Sequence, residues 1–129
     1  VLAAENLHRF ADRGVGIALD DFGTGHSSLC YVHRLPLSKI KIDRSFIVDI
    51  ATNELSRSIV KTIVDLSRNV GCVCVVEGME TREQVAALRK LGCRMMQGYY
   101  FARPQQLEET LAYQAAADTI VNAPIRKTG

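Results

Sequence analysis

Apolar and polar residues follow two rhythms along the chain, and the switches between them mark its elements. From Asn53 onward, Leu55, Ile59, Val60, Ile63, Val64 and Leu66 recur with a period near 3.6, which predicts an amphipathic helix with Asn53 as its N-cap. Thr81-Arg82-Glu83-Gln84 has the form of a capping box, and Val85, Leu88 and Leu91 make the stripe behind it. Leu7, Phe10 and Ala11 line a first helix, and residues from Gln106 to about Val121 read as a last one.

Three segments share one grammar. "LHRFADRGVGIALDD", "IVKTIVDLSRNVGCVCVVEG" and "QVAALRKLGCRMMQG" each run from helix, through a basic last turn and a glycine, into a short apolar run that ends on a polar side chain. The basic residues suit the negative end of the helix dipole, and the glycine suits a left-handed cap. A fourth strand, "LSKIKID", enters after Pro36 and ends on Asp43. Helix and strand alternating with short links predict an α/β fold of parallel βα units. In "KIKID" the charged residues Lys39, Lys41 and Asp43 fall on one face and Ile40 and Ile42 on the other. A strand in a doubly covered open sheet is normally apolar on both faces. One charged face points instead to a barrel, with isoleucines under the helices and charges in the mouth. A (β/α)8 barrel needs eight such units and about 250 residues. Four strands in 129 residues predict about half of a TIM-type barrel over residues 1–121, with 122–129 as a flexible tail.

Composition narrows the partners. The chain is 47% hydrophobic and 23% charged, a globular balance, and its net charge of +2 is spread without a basic block, so nothing favours nucleic acid. The longest apolar run, "VGCVCVV", is too short to cross a bilayer, and the N-terminus lacks the layout of a signal peptide. The expected location is the cytoplasm, or the cytoplasmic portion of a larger protein. Cys30, Cys72, Cys74 and Cys93 have no zinc-site spacing and read as small reduced hydrophobes. With only His8, His26 and His33 present, any metal would be held by oxygen.

In barrels of this kind the chemistry sits at the C-terminal strand ends. Those ends carry Asp20, Asp43, Glu77 and Gln97, all opening onto one rim. Adjacent carboxylates at Asp20 and Asp21 repel unless a cation neutralises them, and magnesium or manganese prefers such ligands. Glu77 reaches the same region, and Lys41 could orient a water or offset phosphate charge. Each has a structural alternative. The Asp pair can form a turn before Gly23, Lys41 and Asp43 can be a rim ion pair, Glu77 can open a turn at Gly78, and Glu80 can cap the helix near Thr81.

Four ordered strings, "LDDFGTGHSSL", "LSKIKIDRSFI", "VVEGMET" and "QGYYFARP", closely resemble the EAL family of cyclic-di-GMP phosphodiesterases, and the resemblance runs to about Leu111. It implies a (β/α)8 barrel that uses Mg2+ or Mn2+ at a two-metal site to open cyclic di-GMP to linear pGpG. By the same resemblance Asp20, Asp21 and Glu77 are metal ligands, with Glu77 also helping to activate water. Lys41 holds that water, Asp43 and Gln97 line the site, and Glu80 anchors the loop after Asp21. The loop from Phe22 to Ser28 resembles one that couples dimerisation to metal binding. His26, Val76 and Met79 depart from the family pattern without touching a charge.

No Glu-Ala-Leu tripeptide occurs; "AAENL" is no substitute. The family's first half carries that signature and further metal ligands, so the chain resembles the C-terminal half of the domain. Two readings follow: part of an active phosphodiesterase, or an inactive truncated module serving dimerisation or protein-protein regulation. The fragment alone is expected to be inactive and to form a homodimer or otherwise self-associate. The resemblance leaves room for an upstream sensor or GGDEF domain.

Overall fold

A computed structural model of the chain describes residues 2–24 and 29–121. In chain order its elements are α1 (Leu2–Ala11), β1 (Ala18–Phe22), α2 (Leu29–Arg34), β2 (Lys39–Ile42), a 3-10 turn (Arg44–Phe46), α3 (Glu54–Asn69), β3 (Val73–Glu77), α4 (Arg82–Lys90), β4 (Met95–Gln97) and α5 (Leu107–Val121). The strands form one parallel sheet in the order β1-β2-β3-β4, so each βα unit lays its strand beside the one before it. The tail expected over 122–129 and His26 fall outside the described residues.

The helices begin and end where local chemistry dictates. Asn53 caps α3 by accepting hydrogen bonds from the amides of Leu55 and Ser56. Thr81 and Gln84 form both halves of the capping box on α4. The glycines after α1, α3 and α4 (Gly14, Gly71 and Gly92) all take positive φ, as left-handed caps require. Two short elements escape the periodicity: α2 is a six-residue helix, and the 3-10 turn is set by Asp43, whose side chain accepts from the Ser45 amide. Both are too short for a 3.6-residue rhythm to show.

One face of the sheet carries the core. Leu19, Phe22, Ile40, Ile42, Cys74, Val76 and Met96 belong to a single cluster with Val60, Ile63 and Val64 of α3 and with Val85 and Leu88 of α4. Ile40, Ile42, Val60, Val76 and Leu88 are completely buried. Burial of an aliphatic side chain of that size contributes roughly 1.5–3 kcal/mol. On the opposite face lie Lys39, Lys41, Val73, Glu77, Met95 and Gln97, and here Val73 and Met95 are about half exposed. The isoleucine-in, charge-out parity expected of β2 is therefore what the strand adopts. Phe10 departs from expectation: it stands 53% exposed on α1, although the stripe predicted it would be covered. Periodicity shows which residues share a helix face, not whether a neighbour exists to cover it. Cys72 and Cys74 are half-buried and Cys93 is buried, all as free thiols. Burial, with Cys74 nearby, pushes the Cys93 thiol up to about 12, so it fills space as a neutral group.

Candidate functional site

The Asp20–Asp21 pair sits on a bulge. Leu19 pairs with Ile40 and Phe22 with Ile42, so β1 spends two residues where β2 spends one, Lys41. A bulge of this kind re-aims side chains and sharpens the local twist. It lets Leu19 and Phe22, three residues apart, both face the core, while Asp20 and Asp21 both remain exposed. The extra residue is accommodated at Asp21, whose φ of 50° makes it the one non-glycine residue at positive φ among those described. Aspartate tolerates that conformation better than most residues, though still at a cost. Thr24 fixes the turn by donating both its amide and its hydroxyl to the Asp21 carbonyl.

Lys41 closes the rim. Its Nζ lies 2.6 Å from Oε1 of Glu77 and 3.1 Å from Oδ2 of Asp20, bridging the ends of three neighbouring strands. The bonds to Glu77 and then Asp20 raise the Lys41 pKa above its ordinary value of 10.5. Lys41, followed by the Asp21 amide on Oδ1, holds Asp20 below 3.8. Asp20 therefore stays ionised, and Lys41 protonated, across the neutral range. The Asp20 side chain is 58% exposed, so its pair with Lys41 adds at most about 1 kcal/mol to stability. The arrangement is better understood as a store of charge than as a brace.

The remaining rim residues group around a cavity of about 280 Å³ lined by Asp43, Arg44, Glu77, Gly78, Glu80, Gln97, Gly98 and Tyr99. Asp43 is lowered by its bonds to Ser45. Glu80 pairs with Arg44 at 2.7 Å, a contact to the segment after β2. The loop after Asp21, its partner by family resemblance, is described only as far as Thr24. Gln97 lies beside Glu77 in register, and its carbonyl accepts from the Gly78 amide. Gly78 has φ +83°, and a Cβ there would meet the stem of Arg44 at 2.6 Å, so two constraints require glycine. A larger cavity of about 460 Å³ opens near the start of β3 and β4, lined by Arg68, Cys72, Cys74 and Cys93 among others. It holds no carboxylate, whereas Asp43, Glu77 and Glu80 line the smaller one.

Sequence reading did not find Arg44 or the second role of Gln84 described below. Asp43-Arg44-Ser45 carried a usable signal for the first, because Asp two residues before Ser forms a local turn that fixes Arg44 beside the rim.

The rim donors suit a hard divalent cation in kind: they are charged oxygens on adjacent strand ends. In number they fall short. Among the described residues no three His, Cys, Asp or Glu side chains are grouped so as to hold an ion.

The family model of the EAL domain matches residues 1–104. The chain belongs to the EAL domain family. It is 45% identical over 101 residues to the cyclic di-GMP phosphodiesterase NbdA of Pseudomonas aeruginosa, an alignment covering 78% of this chain and 13% of that protein. With the cyclic di-GMP phosphodiesterase RocR of the same organism it shares 43% identity over 109 residues, 84% of this chain and 28% of the other. Among solved structures, the PaMucR phosphodiesterase in complex with c-di-GMP aligns with a TM-score of 0.77 and 43% identity, covering 84% of this chain and 44% of that one. The EAL domain of Mycobacterium smegmatis DcpA aligns with a TM-score of 0.83 and 33% identity, covering 88% and 51%. The chain thus spans less than a third of these curated relatives and about half of these solved chains. EAL domains have a TIM-barrel fold, and the parallel sheet with one helix-covered face is part of that barrel.

Proposed function

We propose that this EAL chain is the second half of a cyclic di-GMP phosphodiesterase domain, and that the complete domain hydrolyses cyclic di-GMP to linear pGpG in the cytoplasm. The observation that carries this reading is the Asp20–Lys41–Glu77 contact, which joins three strand ends in a family whose relatives NbdA and RocR are named for that activity. Asp20, Asp21 and Glu77 would hold Mg2+ or Mn2+ together with ligands from the first half. Bound there, such ions supply Lewis acidity and lower the pKa of the attacking water.

The chain's own groups then divide the work. Lys41, released from its two carboxylates, orients the water that attacks phosphorus and offsets charge on the phosphate oxygens. One phosphorus–oxygen bond forms and the bond to the 3′ oxygen breaks, and the proton from water ends on that oxygen. Asp43 and Gln97 line the site, and Glu80 anchors a neighbouring loop. Purified chain incubated with cyclic di-GMP and manganese should form no pGpG, whereas the complete domain should form it readily. Comparable turnover by the chain alone would overturn the half-site reading.

One observation favours a second reading. With Lys41 already satisfying two carboxylates, the chain also suits a catalytically inactive module acting in dimerisation or protein-protein regulation. A complete domain that makes no pGpG would decide for it.

A further inference from the structure

The turn that carries Glu77 and Glu80 is fastened from an unexpected direction. Gln84, on the first turn of α4, is only 8% exposed. Its Oε1 accepts from the amides of Glu80 and Thr81 at 2.8 and 3.1 Å, the ordinary work of a capping box. Its Nε2 meanwhile donates to the carbonyls of Ile47 and Val48 at 3.3 and 3.4 Å. Those carbonyls belong to a different loop, the one that follows Asp43 and the 3-10 turn. A glutamate would cap α4 equally well. Only an amide can accept from one loop while donating to the other.

The link lies beside others that hold the same turn. Arg44 reaches from the Asp43 loop to Glu80. On the far side the Gly78 amide donates to Gln97 and the Tyr100 amide to Met79. Ile47 and Met79 are both completely buried, so a shift of either loop is resisted by packing as well.

We propose that Gln84 is a positioning residue of the rim: its side-chain amide ties the Glu77–Glu80 turn to the segment after Asp43 and so fixes Glu77 against Lys41. The functional half of this inference rests on the phosphodiesterase reading above. The structural half does not.

The test compares Gln84→Glu with Thr81→Ala in the complete EAL domain containing these residues. Gln84→Glu keeps the capping acceptor and loses the donors, whereas Thr81→Ala weakens the cap and keeps the cross-loop bonds. Gln84→Glu should lower kcat at least tenfold with KM for cyclic di-GMP within about threefold, and should raise the manganese concentration giving half-maximal rate. Thr81→Ala should leave kcat within about twofold despite an equal or larger drop in thermal midpoint. Metal-free hydrogen exchange is the second readout. Amides in peptides spanning 44–50 and 77–80 should exchange at least fivefold faster in Gln84→Glu than in Thr81→Ala. If Gln84→Glu does not fold, Gln84→Met, which adds no buried charge but loses the acceptor with the donors, takes its place. The 44–50 amides are then the deciding readout, because only the Nε2 donors reach that segment: those amides should still exchange at least fivefold faster than in Thr81→Ala. If both variants lose activity and protection in proportion to stability, Gln84 is a cap and nothing more. If the unmodified domain is inactive while the exchange difference is present, the phosphodiesterase reading fails and the cross-loop tie stands.

Discussion

At the scale of single residues, the side-by-side carboxylates are explained by backbone geometry as much as by charge. Asp21 is the inserted residue of the β1 bulge and occupies left-handed φ, a conformation that glycine adopts without penalty. Asp21→Gly should therefore stabilise the domain or leave it unchanged, by up to about 1 kcal/mol read from urea midpoints, because relief of strain competes with the greater freedom of the unfolded chain. A loss above about 1 kcal/mol would show that the carboxylate itself supports the turn. The sequence put both carboxylates at a strand end but offered Asp43 as the ion-pair partner of Lys41, where the structure has Asp20 and Glu77. The bulge was not legible, because an inserted residue leaves no mark on composition and breaks the period of two that reveals strands. Asp20 and Glu77 were already candidates as polar residues at the C-terminal strand ends.

At the scale of elements, long periodic stretches were readable and short ones were not. The α3 stripe from Ile59 to Leu66, its Asn53 cap and the Thr81 capping box appear where the pattern puts them, whereas Leu55, read as part of the stripe, is exposed. α2 and the 3-10 turn escaped, and with the turn went Arg44, whose side chain forms part of the rim cavity. Contacts between loops are also invisible to local pattern. Gly98 shows this: a Cβ there would lie 2.3 Å from the Met79 carbonyl oxygen and 2.4 Å from its amide nitrogen. Backbone cannot yield as a flexible side chain does, so Gly98→Ala should cost about 2 kcal/mol or more by urea denaturation. It should also reduce turnover by displacing the Glu77 turn. An alanine variant as stable and active as the parent would mean that the β4 loop moves freely away from Met79.

At the scale of the whole molecule, the sheet has one finished face and one unfinished one. The helix-covered face holds the continuous core, whereas the face bearing Lys39, Lys41, Glu77 and Gln97 leaves Val73 and Met95 half exposed. Such a face is the interior of a barrel in the family to which the chain belongs, and the solved EAL chains it matches are about twice the length it covers. Barrel parity was legible from "KIKID", because one charged face on a parallel strand has few other uses. The central claim is that this chain contributes the Asp20, Asp21, Lys41 and Glu77 side of a metal-dependent phosphodiesterase site. The most direct test is the rate of pGpG formation from cyclic di-GMP and manganese by the complete domain, with and without Glu77→Gln. The account predicts steady turnover by the parent and a loss of at least about a thousandfold in the variant, on the scale of removing a group that acts in the reacting centre. Turnover by Glu77→Gln at the parental rate would contradict it.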